Sequence, residues 1–173
     1  MRFFAGMLFA LLVVVAALVA LVASGTVDMS AARPPGWLER IVGEALLDRS
    51  LARRAPRARN PLPQTPQVIA AGLEHYRRDC AGCHGRPGAA PGPLGRGLNP
   101  PPPDLGSADA QESSDGELFY IVSRGVRLTG MPAWGPSRPE REIWELVAFV
   151  RHLPRLSPAE RRQLAEAGRA ATP

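Results

Sequence analysis

The sequence predicts an all-α chain: one membrane helix, one amphipathic helix, then a single small helical domain. Three observations point there. Apolar residues recur at three- and four-residue spacing along most of the chain, whereas no stretch alternates apolar with polar as a half-buried strand would. Residues Phe3 to Ala23 form 21 consecutive positions without charge, hydrogen-bonding side chain or proline. The full length of 173 residues leaves room for one domain plus an extension. Gly and Pro, 17 and 19 of them, make up about one residue in five, so long irregular loops are expected between the helices.

The apolar run comes first. At about 1.5 Å per residue it spans roughly 32 Å, a bilayer core. Val22-Ala23-Ser24 and Ala23-Ser24-Gly25 offer small residues to a signal peptidase, but a signal core usually runs only about 7 to 15 residues, so an uncleaved anchor is the preferred reading. Arg2 on one side and Arg33 and Arg40 on the other leave its orientation open. Arg33-Pro34-Pro35-Gly36 then breaks the chain, and Trp37, Leu38, Ile41, Val42, Ala45 and Leu46 recur at helical spacing through about Arg54. This amphipathic helix suits either anionic headgroups or a protein surface. Pro56, Pro61, Pro63 and Pro66 make the following segment read as an extended spacer of some tens of Å.

A helix is expected from about Gln67 into Cys80, with Val68, Ile69, Gly72, Leu73 and Tyr76 as its apolar stripe. Residues 85–104 hold too many Gly and Pro for regular structure. Ser113-Ser114-Asp115 supplies caps for a short helix through Val122, stopped by Gly125. Ser137 and Glu140 form a capping-box pattern for a helix reaching about Leu153, with Ile143, Trp144, Val147, Ala148 and Val150 inward. Ser157 and Glu160 repeat that pattern for a polar helix to about Arg169, read as a solvated appendage. The expected divisions are thus 1–25 anchor, 26–66 amphipathic helix and linker, 67–156 domain, and 157–173 polar tail.

The net charge of +5 comes from 21 basic residues, all Arg. Residues 33–66 carry seven Arg against three acids, whereas 67–173 carry thirteen against twelve. The basic excess therefore belongs near the membrane, and nothing in the domain reads as a nucleic-acid surface.

The only two cysteines stand in Cys80-Ala81-Gly82-Cys83-His84. Two residues between the thiols let both sulfurs reach the vinyl groups of one porphyrin, and the next His can place its imidazole over the iron. A thioredoxin-type pair would need a preceding strand. Zinc would need a fourth ligand and usually a second cysteine pair. Two inert cysteines with a surface His are the bland alternative. Of the four methionines, Met1, Met7 and Met29 lie in or near the anchor. Met131, 47 residues beyond His84, stands in Thr129-Gly130-Met131-Pro132-Ala133-Trp134, a loop between two helices. A thioether there would fill the sixth iron position, whereas an empty position would suit gas or peroxide chemistry. His75 and His152 are fallback ligands, each read first as a surface histidine.

The order of helix, Cys80-Ala81-Gly82-Cys83-His84-Gly85, Pro-rich loop, short helix, Met131 loop and Trp-bearing helix resembles the class I monohaem cytochrome c family, especially bacterial membrane-anchored members, over about residues 67–154. The resemblance implies an all-α fold around one covalent haem c, held by thioethers from Cys80 and Cys83 and by axial His84 and Met131. Its first and last helices should cross, with Gly72 and Tyr76 against Trp144 and Ala148. It also implies a prolyl carbonyl accepting the His84 N–H, for which Gly92-Pro93 makes Pro93 the candidate.

The function expected is a membrane-tethered electron carrier, not itself an enzyme, in a respiratory or photosynthetic chain. It would sit as a single-pass protein of the bacterial inner membrane, its haem domain in the periplasm, with redox proteins and the lipid bilayer as partners and neither nucleic acid nor a small-molecule substrate. A permanently bound subunit of a larger oxidoreductase, and a peroxidase or gas sensor with a displaceable Met131, are the alternatives.

Overall fold

The computed structural model describes the backbone of residues 2–89 and 91–170, with side chains as far as Glu166. Met1, Ala90 and the last residues of the expected tail, 171–173, lie outside the described residues. Every regular element among those described is helical. The chain divides into two units, Met1–Ser30 and Ala31–Pro173.

The first unit is helix α1, Arg2–Ala23, with no buried side chain. Among the described residues it is the one helix long and apolar enough to cross a membrane. Ser24 closes it by donating its hydroxyl to the Leu21 carbonyl at 2.7 Å, and Gly25 leaves it at φ +64°.

The second unit contains α2 (Trp37–Arg54), α3 (Pro66–Asp79), the single turn α4 (Ala81–His84), α5 (Ala108–Glu112), α6 (Asp115–Arg124), α7 (Glu140–His152) and α8 (Pro158–Ala170). The most extensive contact is α3 against α7. Gly72 permits it: a Cβ there would lie 2.2 Å from the Glu145 carbonyl oxygen and 2.7 Å from the Phe149 Cβ. Tyr76 meets Phe149 with ring centroids 5.3 Å apart. The crossing is therefore centred on Glu145 and Phe149. Trp144 instead turns toward α6, where it stacks on Phe119 at 4.2 Å. All residues from Ile143 to Val150 are buried, so α7 serves two neighbours and its stripe could not say which side chain faces which. Changing Gly72→Ala is expected to lower stability by about 2 kcal/mol, because the overpacking penalty exceeds the entropy gained on removing a helical glycine. Denaturant unfolding of the holoprotein measures it, and an unshifted midpoint would show that the helices part there without penalty.

The sequence rules placed most helix ends. Ser114 caps α6, in a box completed by Glu117, Gly125 ends α6 at φ +66°, and Ser157 with Glu160 cap α8; the cap of α3, Thr65, lies outside those expectations. Ser137 differs. It donates to the Trp134 carbonyl at 3.3 Å, closing the preceding turn, and Pro139 takes the cap position of α7. The single turns α4 and α5 are too short for a periodicity to reveal.

Two larger expectations change. Helix α8 is not a solvated appendage: Leu164 and Leu156 are buried with the core, packing α8 on α3 and α4. Nor does the proline-rich segment stand off as a spacer. The backbone N–H of Asn60 donates to Asp115 Oδ2 at 2.9 Å and its side-chain amide to the Trp144 carbonyl at 2.7 Å. Pro56 lies so close to α6 that a Cβ on Gly116 would overlap its carbonyl oxygen, and Leu51 buries the end of α2. Repeated prolines stiffen a chain, but they do not prevent one asparagine from fastening it to a surface.

Asp115 joins this clamp, accepting from Arg151 Nε at 2.7 Å. Burial would raise its pKa, but the Asn60 N–H and the Arg151 guanidinium outweigh that and hold the carboxyl below its ordinary value. A depressed folded-state pKa contributes stability that is complete above the unfolded-state value and lost as pH falls through the folded one. Asp115→Asn should therefore destabilise the domain at neutral pH, with the difference from wild type shrinking in acid. Urea midpoints across an acid titration test the sign, and a difference independent of pH would contradict it.

Candidate functional site

Helix α3 delivers the cysteine motif. Cys80 caps it and opens α4, where Cys83 and His84 both donate backbone N–H groups to the Cys80 carbonyl, at 3.1 and 2.9 Å. One tight turn thus carries both sulfurs and the imidazole. The Tyr76 hydroxyl donates to the Gly85 carbonyl at 2.9 Å, and Gly85 turns the chain away at φ +67°. The thiols are half-buried and not joined to each other. Burial, helped by Asp79 and Cys83, pushes the Cys80 thiol up to about 12. A redox-active cysteine needs the opposite, a thiolate favoured near neutrality. Among the described residues no three Cys, His, Asp or Glu side chains converge as a metal-ligand set either.

His84 Nδ1 lies 3.0 Å from the Pro103 carbonyl oxygen. A carbonyl only accepts, so the proton sits on Nδ1 and Nε2 keeps a lone pair. Burial, opposed by that same hydrogen bond, holds the imidazole pKa below its ordinary value, so the neutral ligand form persists. The carbonyl partner is thus Pro103 and not Pro93. The loop around Pro93 is already engaged with α4: Gly92 N–H donates to the Cys83 carbonyl and Leu94 N–H to that of Gly82. The fit is close enough that a Cβ on Gly92 would come within 2.3 Å of the Gly82 oxygen. Only later does the chain return beside the imidazole. Asp104 holds it there by accepting from the backbones of Gly88 and Gly106 at 2.7 and 2.8 Å. The sequence offers Pro103 only as one of four consecutive prolines beside Asp104, and where the loop returns selects among them.

Met131 is half-buried on the loop between α6 and α7. Its backbone is held from both sides, its N–H donating to Thr129 Oγ1 at 3.1 Å and its carbonyl accepting from Val126 at 3.2 Å. Gly130 lets this loop rest on Leu98, since a Cβ there would lie 2.6 Å from the leucine methyl carbons. The segment from Leu98 to Pro103 therefore touches both the Met131 loop and His84. A further tie was not foreseen. Arg138 bonds Asp79, the residue before Cys80, at 2.9 Å, and its guanidinium lies 5.7 Å from the Trp134 ring centroid. The end of the methionine loop is thereby fastened to the start of the cysteine motif.

The fallback histidines are drawn elsewhere. His75 Nε2 is 3.2 Å from Glu145 Oε2 and His152 Nε2 is 3.1 Å from Glu160 Oε1, so each is a half-buried partner of a carboxylate rather than a bare surface residue.

Residues 67–150 match the family model described as cytochrome c oxidase, cbb3-type, subunit III. They form a class I cytochrome c domain. No curated protein matches the chain. A c-type cytochrome performs haem-based electron transfer, and the residues present fit that group. A porphyrin needs two adjacent uncommitted thiols, a neutral imidazole with a free Nε2 and a thioether from a separate loop, and this cytochrome domain supplies each.

Proposed function

We propose that this chain carries one haem c, joined by thioethers to Cys80 and Cys83 and ligated by His84 and Met131, and that it moves single electrons between redox proteins at a membrane to which α1 tethers it. When bound, the haem supplies the one-electron chemistry. The protein's residues then have defined tasks. Pro103 accepts the His84 Nδ1–H and so fixes the ring orientation and raises the basicity of Nε2. Met131 would hold the iron through its thioether, a donor that favours the reduced state. The packed α3–α7 crossing would hold these groups in place about the haem.

The His84–Pro103 hydrogen bond, within a turn holding two uncommitted thiols, carries this reading. Covalent haem attachment takes place outside the bacterial cytoplasmic membrane, as the family resemblance implies, so α1 would leave the domain in the periplasm. Protein made with a working maturation apparatus should show a haem resistant to acid-acetone extraction and a spectrum of His/Met low-spin iron. Polypeptide without haem would overturn the proposal.

The description of the matched family as an oxidase subunit supports a second reading, a fixed electron-transfer subunit. Mild detergent extraction followed by native sizing separates the two: a stable stoichiometric complex supports the subunit, a lone protein the shuttle.

A further inference from the structure

We propose that helix α2 lies on the lipid surface, its face of Leu38, Ile41, Val42 and Leu46 sunk into the headgroup boundary, and so fixes the haem domain against the membrane instead of leaving it to swing. The proposal rests on α1 being a retained anchor.

Helix α2 has two apolar faces. Leu47 is half-buried and Leu51 buried on one side, and α2 contacts α6. The other side, with Trp37, Leu38, Ile41, Val42 and Leu46, is between 47% and 71% exposed. Leu38, Val42 and Leu46 lie along one flank of the helix, and the same line continues at helical spacing into Arg49 and Arg53. Neither arginine makes an ion pair among the described residues, nor do Arg40 and Arg57. Glu44 and Asp48 border the opposite edge, beside Trp37 and Ile41, so headgroup contact is expected on the arginine flank. Long arginine stems can lie along apolar surface while their guanidinium groups reach lipid phosphates.

The occupant follows from reach. The arm after α1 is not loose: Asn99 Nδ2 donates to the Arg33 carbonyl at 2.8 Å, and Asn60, beyond the end of α2, bonds α6 and α7. The leash is therefore residues 24–30, between the end of α1 and the start of the second unit. Seven residues extend at most about 25 Å. The exposed face begins with Leu38, only eight residues after Ser30, so an apolar, arginine-flanked surface is kept within reach of the bilayer, where a lipid boundary would cover it.

The test uses the full holoprotein in nanodiscs of phosphatidylcholine containing phosphatidylglycerol. With Cys80 and Cys83 in thioethers, Val42→Cys, Gly43→Cys and Val14→Cys each introduce the one thiol open to a spin label. Gly43 faces open space and accepts a side chain. Collision with oxygen relative to a water-soluble nickel chelate should be at least about threefold higher at position 42 than at 43, with 14 higher still. If 14 reports lipid but 42 matches 43, the surface-helix proposal is overturned while the anchor reading stands. If 14 itself reports water, the anchor reading fails and this proposal with it. Shielding of 42 from both reagents would mean that protein covers the face, which also overturns it.

Discussion

Met131→Ala is expected to leave the haem attached and the domain folded while lowering the reduction potential and opening the iron to exogenous ligands. The loop should survive because Met131 holds its place through its backbone: its N–H donates to Thr129 and its carbonyl accepts from Val126. Truncation therefore removes the thioether without removing the scaffold that presents it. Loss of an axial thioether should lower the potential by on the order of a few tenths of a volt, within the ~0.8 V over which axial ligands act. Two readouts decide it. The long-wavelength methionine–iron band of the oxidised protein should vanish, and carbon monoxide should bind the reduced protein without denaturant. An unchanged spectrum would remove Met131 from the iron. Carbon monoxide binding by the unaltered protein would instead favour a gas or peroxide function.

The second large effect is expected at His84. His84→Ala deletes the nitrogen proposed to hold the iron and leaves the Pro103 carbonyl without its donor. Beyond local bonding, the loop between α4 and α5 depends on this turn. It lies on the carbonyls of Cys83 and Gly82, and its one regular element among the described residues is a single turn, Gly95–Gly97. Ligand binding free energy is also folding free energy when the site is incomplete without the ligand. Recovered holoprotein should fall about tenfold or more. Cys80→Ser and Cys83→Ser should likewise reduce it, each through loss of a thioether. Haem staining and size-exclusion profiles measure the outcome. A compact, colourless His84→Ala protein would contradict the view that the haem completes the core.

Recognition of the helices from sequence rested on short-range rules. Ser114, Gly125 and Ser157 each bond a backbone group within a few residues, so their roles can be read locally. The cysteine motif is legible for the same reason, since five consecutive residues make one turn. Pro93 was misassigned because the choice among prolines depends on where the loop returns, and that is set by Asp104 reaching Gly88 and by Gly92 lying on α4. Arg138 was missed because its partners, Asp79 and the Trp134 ring, belong to different parts of the chain. The arm was misread because prolines suggest stiffness, while a single residue, Asn60, determines attachment.

By itself, then, the order of residues determined an all-helical chain with a membrane-length apolar segment, a Cys-x-x-Cys-His turn and a methionine loop, because each is written in neighbours that interact over one or two turns. Only the tertiary structure decided that Pro103 serves His84, that Glu145 and Phe149 receive Gly72, and that the arm and the last helix belong to the domain's packing. Those outcomes depend on contacts between residues tens of positions apart, whose register is set by close packing and by buried polar groups finding partners.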